Sequence, residues 1–411
     1  MTFLYLGLRM FRRNLALNVI VILQIIVALL LTNLLVGQYN LASDTLRQTA
    51  GFDADATYYY MPDATMDTTG ERIEAAAALL AQHEGEYLAE QAVQVFLEST
   101  EGKDPMTYAY GPETIAHLDA TLGAGVWLDE AQTAAGRIPC VTVGPYRVGE
   151  VLTFTLTDGK PLALDENGEP IARPGVQLEF EVVGTLQDTA YILTMNGMSN
   201  DPRLDEILEL SIYEEEGTPI LLCRQADLAQ YRQQVDFSFD PADNALMYFP
   251  EGRTAASEAL VASLSEHTWV TPLSEARART QEERSKTIQT LLPVILALLF
   301  IGLVALVCLT LLNTMRSLRT YALYYICGMR WGDHRKICLG YVVCLLLGAA
   351  VLIGPVMYLL GEMLSLGELI FGWNNLAFSA GIVALAALVP LVGPALLMRR
   401  ETPLDYLNES W

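Results

Sequence analysis

Five basic or histidine side chains (Arg319, Arg330, His334, Arg335 and Lys336) and four large aromatics (Tyr321, Tyr324, Tyr325 and Trp331) share the segment RTYALYYICGMRWGDHRKI. In a soluble chain this mixture suggests a nucleic-acid patch. Long apolar runs flank it on both sides, so protein or lipid, not nucleic acid, is the surface it can meet. Catalytic chemistry finds little support elsewhere. The four histidines, His83, His117, His267 and His334, are far apart, and no His-Glu-x-x-His or paired Cys-x-x-Cys pattern occurs, so no metal site is expected. The nearest approach to a phosphate-binding Gly-x-x-x-x-Gly-Lys-Ser/Thr loop is TDGKP, with Phe154 at the first glycine position and Pro161 at the hydroxyl position. ATP hydrolysis by that route is excluded. The acidic clusters Asp165–Glu166 and Glu214–Glu216 lack the ligand alternation of a calcium loop and read as solvated surface.

Cys140 and Cys223 fall in the acidic middle of the chain, where a disulfide is chemically permitted; a bridge and two buried free thiols are both open. Cys308, Cys338 and Cys344 lie in apolar runs and Cys327 in the basic segment. Gln24 is the main polar residue inside an apolar run and is expected to hydrogen-bond across a helix interface.

The elements that must carry these residues follow from how charge is distributed. The chain has 411 residues, 52% of them hydrophobic, yet a net charge of −23. Residues 38–286 hold 42 acidic and 15 basic side chains, and the rest hold 6 and 10, so the chain is two materials joined together. Four runs meet the requirement of about 20 apolar residues for a membrane span: Leu15–Val36, Leu291–Leu312, Ile337–Leu360 and Leu376–Met398. The first exceeds a signal-peptide core, and NLASD is a poor cleavage site, so it reads as a retained anchor. Arg9, Arg12 and Arg13 precede it; Arg316, Arg319, Arg330, Arg335 and Lys336 separate the second and third runs; Arg399 and Arg400 follow the fourth. The positive-inside bias then predicts a multi-pass protein of the cell (plasma or inner) membrane, with both termini cytoplasmic and residues 38–286 outside. No run carries an ionisable residue near its centre, as proton- or ion-coupled carriers need.

The expected fold class is an α-helical membrane protein with four transmembrane helices plus a mixed α/β extracytoplasmic domain on stalk helices. Its N-terminus and first span cover 1–37 and the extracytoplasmic domain 38–286. The second span covers 287–312 and a cytoplasmic loop 313–336. The third span, an external loop, the fourth span and a cytoplasmic tail follow at 337–360, 361–375, 376–398 and 399–411. GQYNLASDTLRQTAGF is polar and helix-compatible, SEARARTQEERSKTIQ has no Gly or Pro and is rich in helix formers, and both are expected to continue the first two spans outward as the stalks. Within the domain, ERIEAAAALLAQH reads as a helix, VGEVLTFTL and VQLEFEVVGTL as strands, and Arg203–Leu210 as a short helix. TDGKPLALDENGEPIARPG between the two strands reads as a long turn.

One span, a large outer domain and three further spans resemble the FtsX/MacB/LolE-type ABC transporter permeases. The basic entry LRMFRRNLALNVI, the strand motifs YRVGEVLTF and FEVVGTL, the loop RSLRTYALYYICGMRWGDHRKI and the tail MRRETPLDYLNES, with Arg400, Pro403 and Leu407, carry the resemblance. Thr320 and Tyr325 depart from the Glu and Arg usual in that loop. The resemblance implies a non-catalytic permease subunit without cofactor of its own, with ATP and Mg held by a separate ABC ATPase. It also implies a second permease subunit, a copy or a homologue, and work on an extracytoplasmic client by mechanotransmission. Residues 313–336 become the ATPase-coupling loop, with Tyr321, Tyr324, Tyr325, Met329 and Trp331 as anchors, Arg316, Arg319, Arg330 and Arg335 flanking them, and Gly328 at the family's glycine position. An interfacial segment on lipid headgroups is the blander reading of the same residues. A membrane-bound sensor, whose outer domain binds a ligand and signals through the cytoplasmic loop, is the alternative function.

Overall fold

The computed structural model describes residues 2–62, 70–99, 103–134, 136–159, 175–187, 189–195, 199, 201–212, 218–330, 333–361 and 372–400. Trp331, Pro403, Leu407 and both acidic clusters, 165–166 and 214–216, lie outside them. The chain divides into two compact units: Met1–Asn40 with Arg284–Trp411, and Leu41–Glu283.

An amphipathic helix, α1 (Thr2–Arg13), opens the helical unit, with Phe3, Leu6 and Met10 on its packed face and Arg9, Arg12 and Arg13 exposed. Asn14 interrupts it, and α2 (Leu15–Gln48) follows. At 1.5 Å per residue α2 is about 51 Å long, well beyond the roughly 30 Å of a bilayer core. Its last turns belong to the β-rich unit, where Asp44 accepts from Thr121 Oγ1 (2.6 Å) and Arg47 pairs with Asp119 (3.1 Å).

The β-rich unit has two bodies. In the first, β1 (Thr57–Met61), α3 (Glu71–Gln82) and β2 (Leu88–Glu90) are matched late in the chain by β12 (Ala245–Tyr248), α7 (Ala255–Leu264) and β13 (Trp269–Pro272). The sheet order is β13-β1-β12-β2 with antiparallel neighbours, the ferredoxin-like βαβ–βαβ arrangement. Leu80 of α3 and Leu260 and Leu264 of α7 cover one face, against Tyr58, Tyr60 and Met247.

The second body is inserted between β2 and β12. It contains β3 (Val93–Ser99), β4 (Met106–Tyr110), α4 (Pro112–His117), β5 (Leu122–Gly125), β6 (Ile138–Val143), β7 (Val151–Thr157) and β8 (Val176–Leu186). The hairpin β9 (Thr189–Leu193) and β10 (Leu208–Ile212), the one-turn α5 (Leu204–Ile207), β11 (Ile220–Arg224) and α6 (Gln225–Leu228) complete it. Strand β8 pairs with β7 along one edge and β6 along the other, and β7-β3-β4-β11-β6 joins them. The result is a closed six-stranded barrel with β5 added beside the end of β8. Closure removes the unpaired edges that an open sheet must protect.

Side-chain alternation then separates two cores. Val95, Leu97, Ala109, Cys140, Phe154, Phe180, Leu221 and Cys223 fill the barrel. Their neighbours Tyr108, Tyr110, Val141, Val143 and Leu222 face outward into a core shared with Tyr59, Met61, Leu246 and Tyr248 of the four-stranded sheet. The expected helix over 203–210 is only Leu204–Ile207. From Leu208 the backbone pairs antiparallel with β9, and the ladder outweighs local helix propensity.

Helix α8 (Leu273–Ile326) starts inside this shared core. Leu273 and Ala276 are buried there, Thr280 Oγ1 accepts from Leu204 N (3.0 Å), and Arg279 pairs with Asp201 (2.7 Å). It continues unbroken for 54 residues, about 81 Å. After it come α9 (His334–Gly361) and α10 (Trp373–Arg400). Helices α2, α8, α9 and α10 are each long and apolar enough to cross a membrane.

Polar side chains mark both ends of the helical unit. At one end Asn14 Nδ2 donates to Asn313 Oδ1 and Tyr341 OH to Asn18 Oδ1 (2.6 Å). At the other, Asn33 Nδ2 donates to Ser379 Oγ (2.9 Å) and Asn40 Nδ2 to Asn375 Oδ1 (3.0 Å). Prolines 390 and 394 stay within α10. Pro394 has no N–H for the Pro390 carbonyl, and Thr310 Oγ1 of α8 donates to that oxygen instead (3.0 Å).

Candidate functional site

The segment read as a loop over 313–336 is mostly helix. Nothing between Leu312 and Ile326 breaks α8, and residues 334–336 already belong to α9, so the connection is the short stretch 327–333. The turn is a Schellman motif. Gly328 N donates to Tyr325 O (2.9 Å) and Met329 N to Tyr324 O (3.0 Å), while Gly328 takes φ +95°, where a Cβ is strained. Met329 and Tyr324, the residues that flank such a motif, pack together with Leu318, Tyr321 and Ile337. Asp333 N then donates to Arg330 O (2.9 Å), and the Asp333 carboxylate pairs with Lys336 (2.8 Å) in the first turn of α9. The Lys336 hydrogen bond holds the Asp333 carboxyl below its ordinary range.

The structure sorts the expected anchors. Tyr321 is buried: it lies under α1, its OH 3.5 Å from Met10 Sδ, and is unavailable to a partner. Tyr324 and Met329 are half-buried in the same cluster. Arg316, Arg319, Tyr325, Gly328, Arg330 and Arg335 are exposed, and Trp331 is outside the described residues. Three residues that sequence reasoning missed complete the surface. Met315, Leu323 and Ile326 are 57%, 53% and 63% exposed, and with Arg319 they follow a helical repeat along one side of α8. Their helical spacing was the available signal. The arrangement is an exposed apolar strip interleaved with guanidinium groups, suited to docking and to no covalent chemistry. Beside it, Arg9 and Arg13 of α1 and Asn313, Ser317, Thr320 and Tyr324 of α8 line a cavity of about 330 Å3.

The remaining candidates are structural. Gln24 packs where α2, α8 and α10 meet, among Leu299, Gly302, Ile382 and Ala386. Its Oε1 is buried without a hydrogen-bond partner among the described residues, and its neighbours there are apolar. Cys140 and Cys223 are direct cross-strand partners in β6 and β11, point into the barrel, and are both free thiols. Burial raises both pKa values, that of Cys223 to about 12, so neither is a thiolate nucleophile at neutral pH. Among the described residues no group of three or more His, Cys, Asp or Glu could hold a metal ion.

Comparison with known proteins places little beside this geometry. No protein-family model matches, and no curated protein matches. Among solved structures, the chain is similar to the extracellular domain of the noncanonic ABC-type transporter YknZ from Gram-positive bacteria, at 10% identity over 51% of this chain and 90% of that one. The TM-score is 0.22, which establishes neither fold nor function for this chain.

Proposed function

We propose that this chain is the non-catalytic membrane subunit of an ABC-type transporter, driven by an ATPase on a separate polypeptide. The arginine-bearing end of α8 and its turn into α9 would be the ATPase docking surface on the cytoplasmic side, with residues 41–283 outside. ATP binding by two ATPase subunits beneath two permease subunits would displace that surface. The displacement would reach the β-rich unit as mechanical work on an external client.

One observation carries the reading: α8 is rooted in the β-rich core through Leu273 and Ala276 and runs unbroken to Ile326. A continuous helix transmits displacement along its axis, whereas a flexible linker would absorb it. The layout and motifs resembling FtsX/MacB/LolE-type permeases supply the partner's identity. Aromatic and arginine side chains dominate interface energetics, and Arg319 and Tyr325 provide them beside the exposed apolar Leu323 and Ile326.

The test is a pull-down of the detergent-solubilised protein with its candidate ATPase, with and without ATP. Wild type is expected to retain the ATPase, and a Leu323→Asp/Ile326→Asp variant to lose it. A Tyr321→Phe variant, altered only beneath α1, is expected to behave as wild type. If no ATPase associates under any nucleotide condition, the transporter reading fails and the sensor takes its place.

A further inference from the structure

Helix α1 is held against its neighbours through its backbone and its end. A Cβ on Gly7 would stand 2.5 Å from the Gly340 backbone, so α1 meets α9 main chain to main chain. Toward α8, Asn14 Nδ2 at the end of α1 donates to Asn313 Oδ1, and Tyr321 OH donates to Met10 Sδ (3.5 Å). These pairs descend α1 as they ascend α8, so the two helices run antiparallel. Arg13 therefore lies toward Asn313, and Arg9 toward Tyr324.

The space left between the helices is the cavity of about 330 Å3, at the small end of the range for ligand sites. Arg9 and Arg13 stand one turn apart on its α1 wall, and Thr320 and Tyr324 bring hydroxyl groups to its α8 wall. No carboxylate among the described residues lines it. A second observation extends this to the whole helical unit. Among its described residues Asp333 is the one acidic side chain, and Lys336 pairs with it (2.8 Å). Arg9 and Arg13 thus have no ion-pair partner among the described residues, and like charges at this spacing repel. An anion seated between them removes that repulsion. Guanidinium forks match the oxygens of a phosphate, and hydroxyl donors can complete its shell. Leu6, Met10 and Ile337 give the cavity an apolar side, continuous with the buried Leu318 and Tyr321. An amphipathic basic helix such as α1 sits at the headgroup level of a bilayer, where phosphates are concentrated.

We infer that the groove between α1 and α8 binds a phosphate group, with the Arg9 and Arg13 guanidiniums donating to its oxygens and the Thr320 and Tyr324 hydroxyls beside them. The phosphate belongs to an anionic membrane lipid or to a soluble phosphate ester. This inference stands on the helical unit alone and does not depend on an ATPase partner.

Native mass spectrometry on the full chain in a neutral detergent tests it, with dihexanoyl phosphatidylglycerol and glycerol 3-phosphate as separate probes. Saturable one-to-one binding of either probe is expected, weakened roughly tenfold or more in Arg9→Gln/Arg13→Gln. Tighter binding of phosphatidylglycerol identifies a lipid as the source, and equal or tighter binding of glycerol 3-phosphate identifies a soluble ester. Arg12→Gln removes a charge from the same helix outside the cavity and is expected to bind as wild type. Thr320→Glu leaves both arginines in place, supplies them with a carboxylate and is expected to abolish binding; it decides the question if the double variant melts early. Binding of neither probe overturns the inference. So does a loss in Arg12→Gln equal to that in Arg13→Gln, which would show attraction to positive charge anywhere on α1, or binding indifferent to Thr320→Glu. Failure here leaves the ATPase pull-down untouched, and failure of the pull-down leaves this titration untouched.

Discussion

At the residue scale, environment decides what each reactive type can do. Cys140 and Cys223 occupy facing positions in neighbouring strands, a geometry within reach of a disulfide, yet both are free thiols inside the barrel core. The expected outcome is that all six cysteines of the chain titrate as thiols after unfolding without reductant. In the native protein, Cys140 and Cys223 should resist a charged maleimide. A count of four after unfolding would show that the pair is bridged. Tyr321 makes the same point differently. Its type and position suit an anchor, but α1 covers it, and only packing could show that. Gly328 stands at the glycine position of the family that the loop resembles; its conformational role appears in the backbone, where φ +95° allows the chain to leave α8.

At the scale of elements, local patterns were legible and pairings were not. The strand over 176–186, the helix over 71–82 and the outward continuation of the first two apolar runs all appear where periodicity and the lack of breakers put them. Sequence alone carried no sign that β8 pairs with β7 and β6 at once and so closes a barrel, because those partners lie far apart along the chain. The two β-rich bodies are held together partly by buried tyrosines. Burial raises the pKa of Tyr110 and Tyr248 in that shared core, and of Tyr60 on the face under α3 and α7, above the ordinary 10.0. A phenol with a raised folded pKa stabilises the fold fully below its unfolded pKa and loses that contribution as pH rises. The β-rich unit is therefore expected to lose stability above about pH 10. Tyrosinate absorbance from these side chains should appear together with loss of the far-ultraviolet circular dichroism signal. Ionisation well before unfolding would contradict their burial.

At the scale of the whole molecule, the proposed function depends on the continuity of α8. The helix already contains Pro293 without ending there, so its continuity is tested by a flexible insert rather than by a single proline. A Gly-Ser-Gly-Ser insert after Ser285 is expected to leave ATPase docking intact. It should abolish any ATP-dependent change in hydrogen exchange across residues 41–283, measured by mass spectrometry on the complex. If the change persists, the motion takes another route. The charge partition, the four apolar runs, the basic flanks and the helical extensions are properties of the sequence itself, since each depends on composition and short-range periodicity that neighbouring residues fully specify. Tertiary structure alone decided barrel closure, the facing of Cys140 and Cys223, the burial of Tyr321 and the gathering of Arg9, Arg13, Thr320 and Tyr324 around one cavity. These depend on contacts between residues distant in the chain, and such contacts form only when the accumulated burial of apolar surface outweighs the entropy of closing the loops between them.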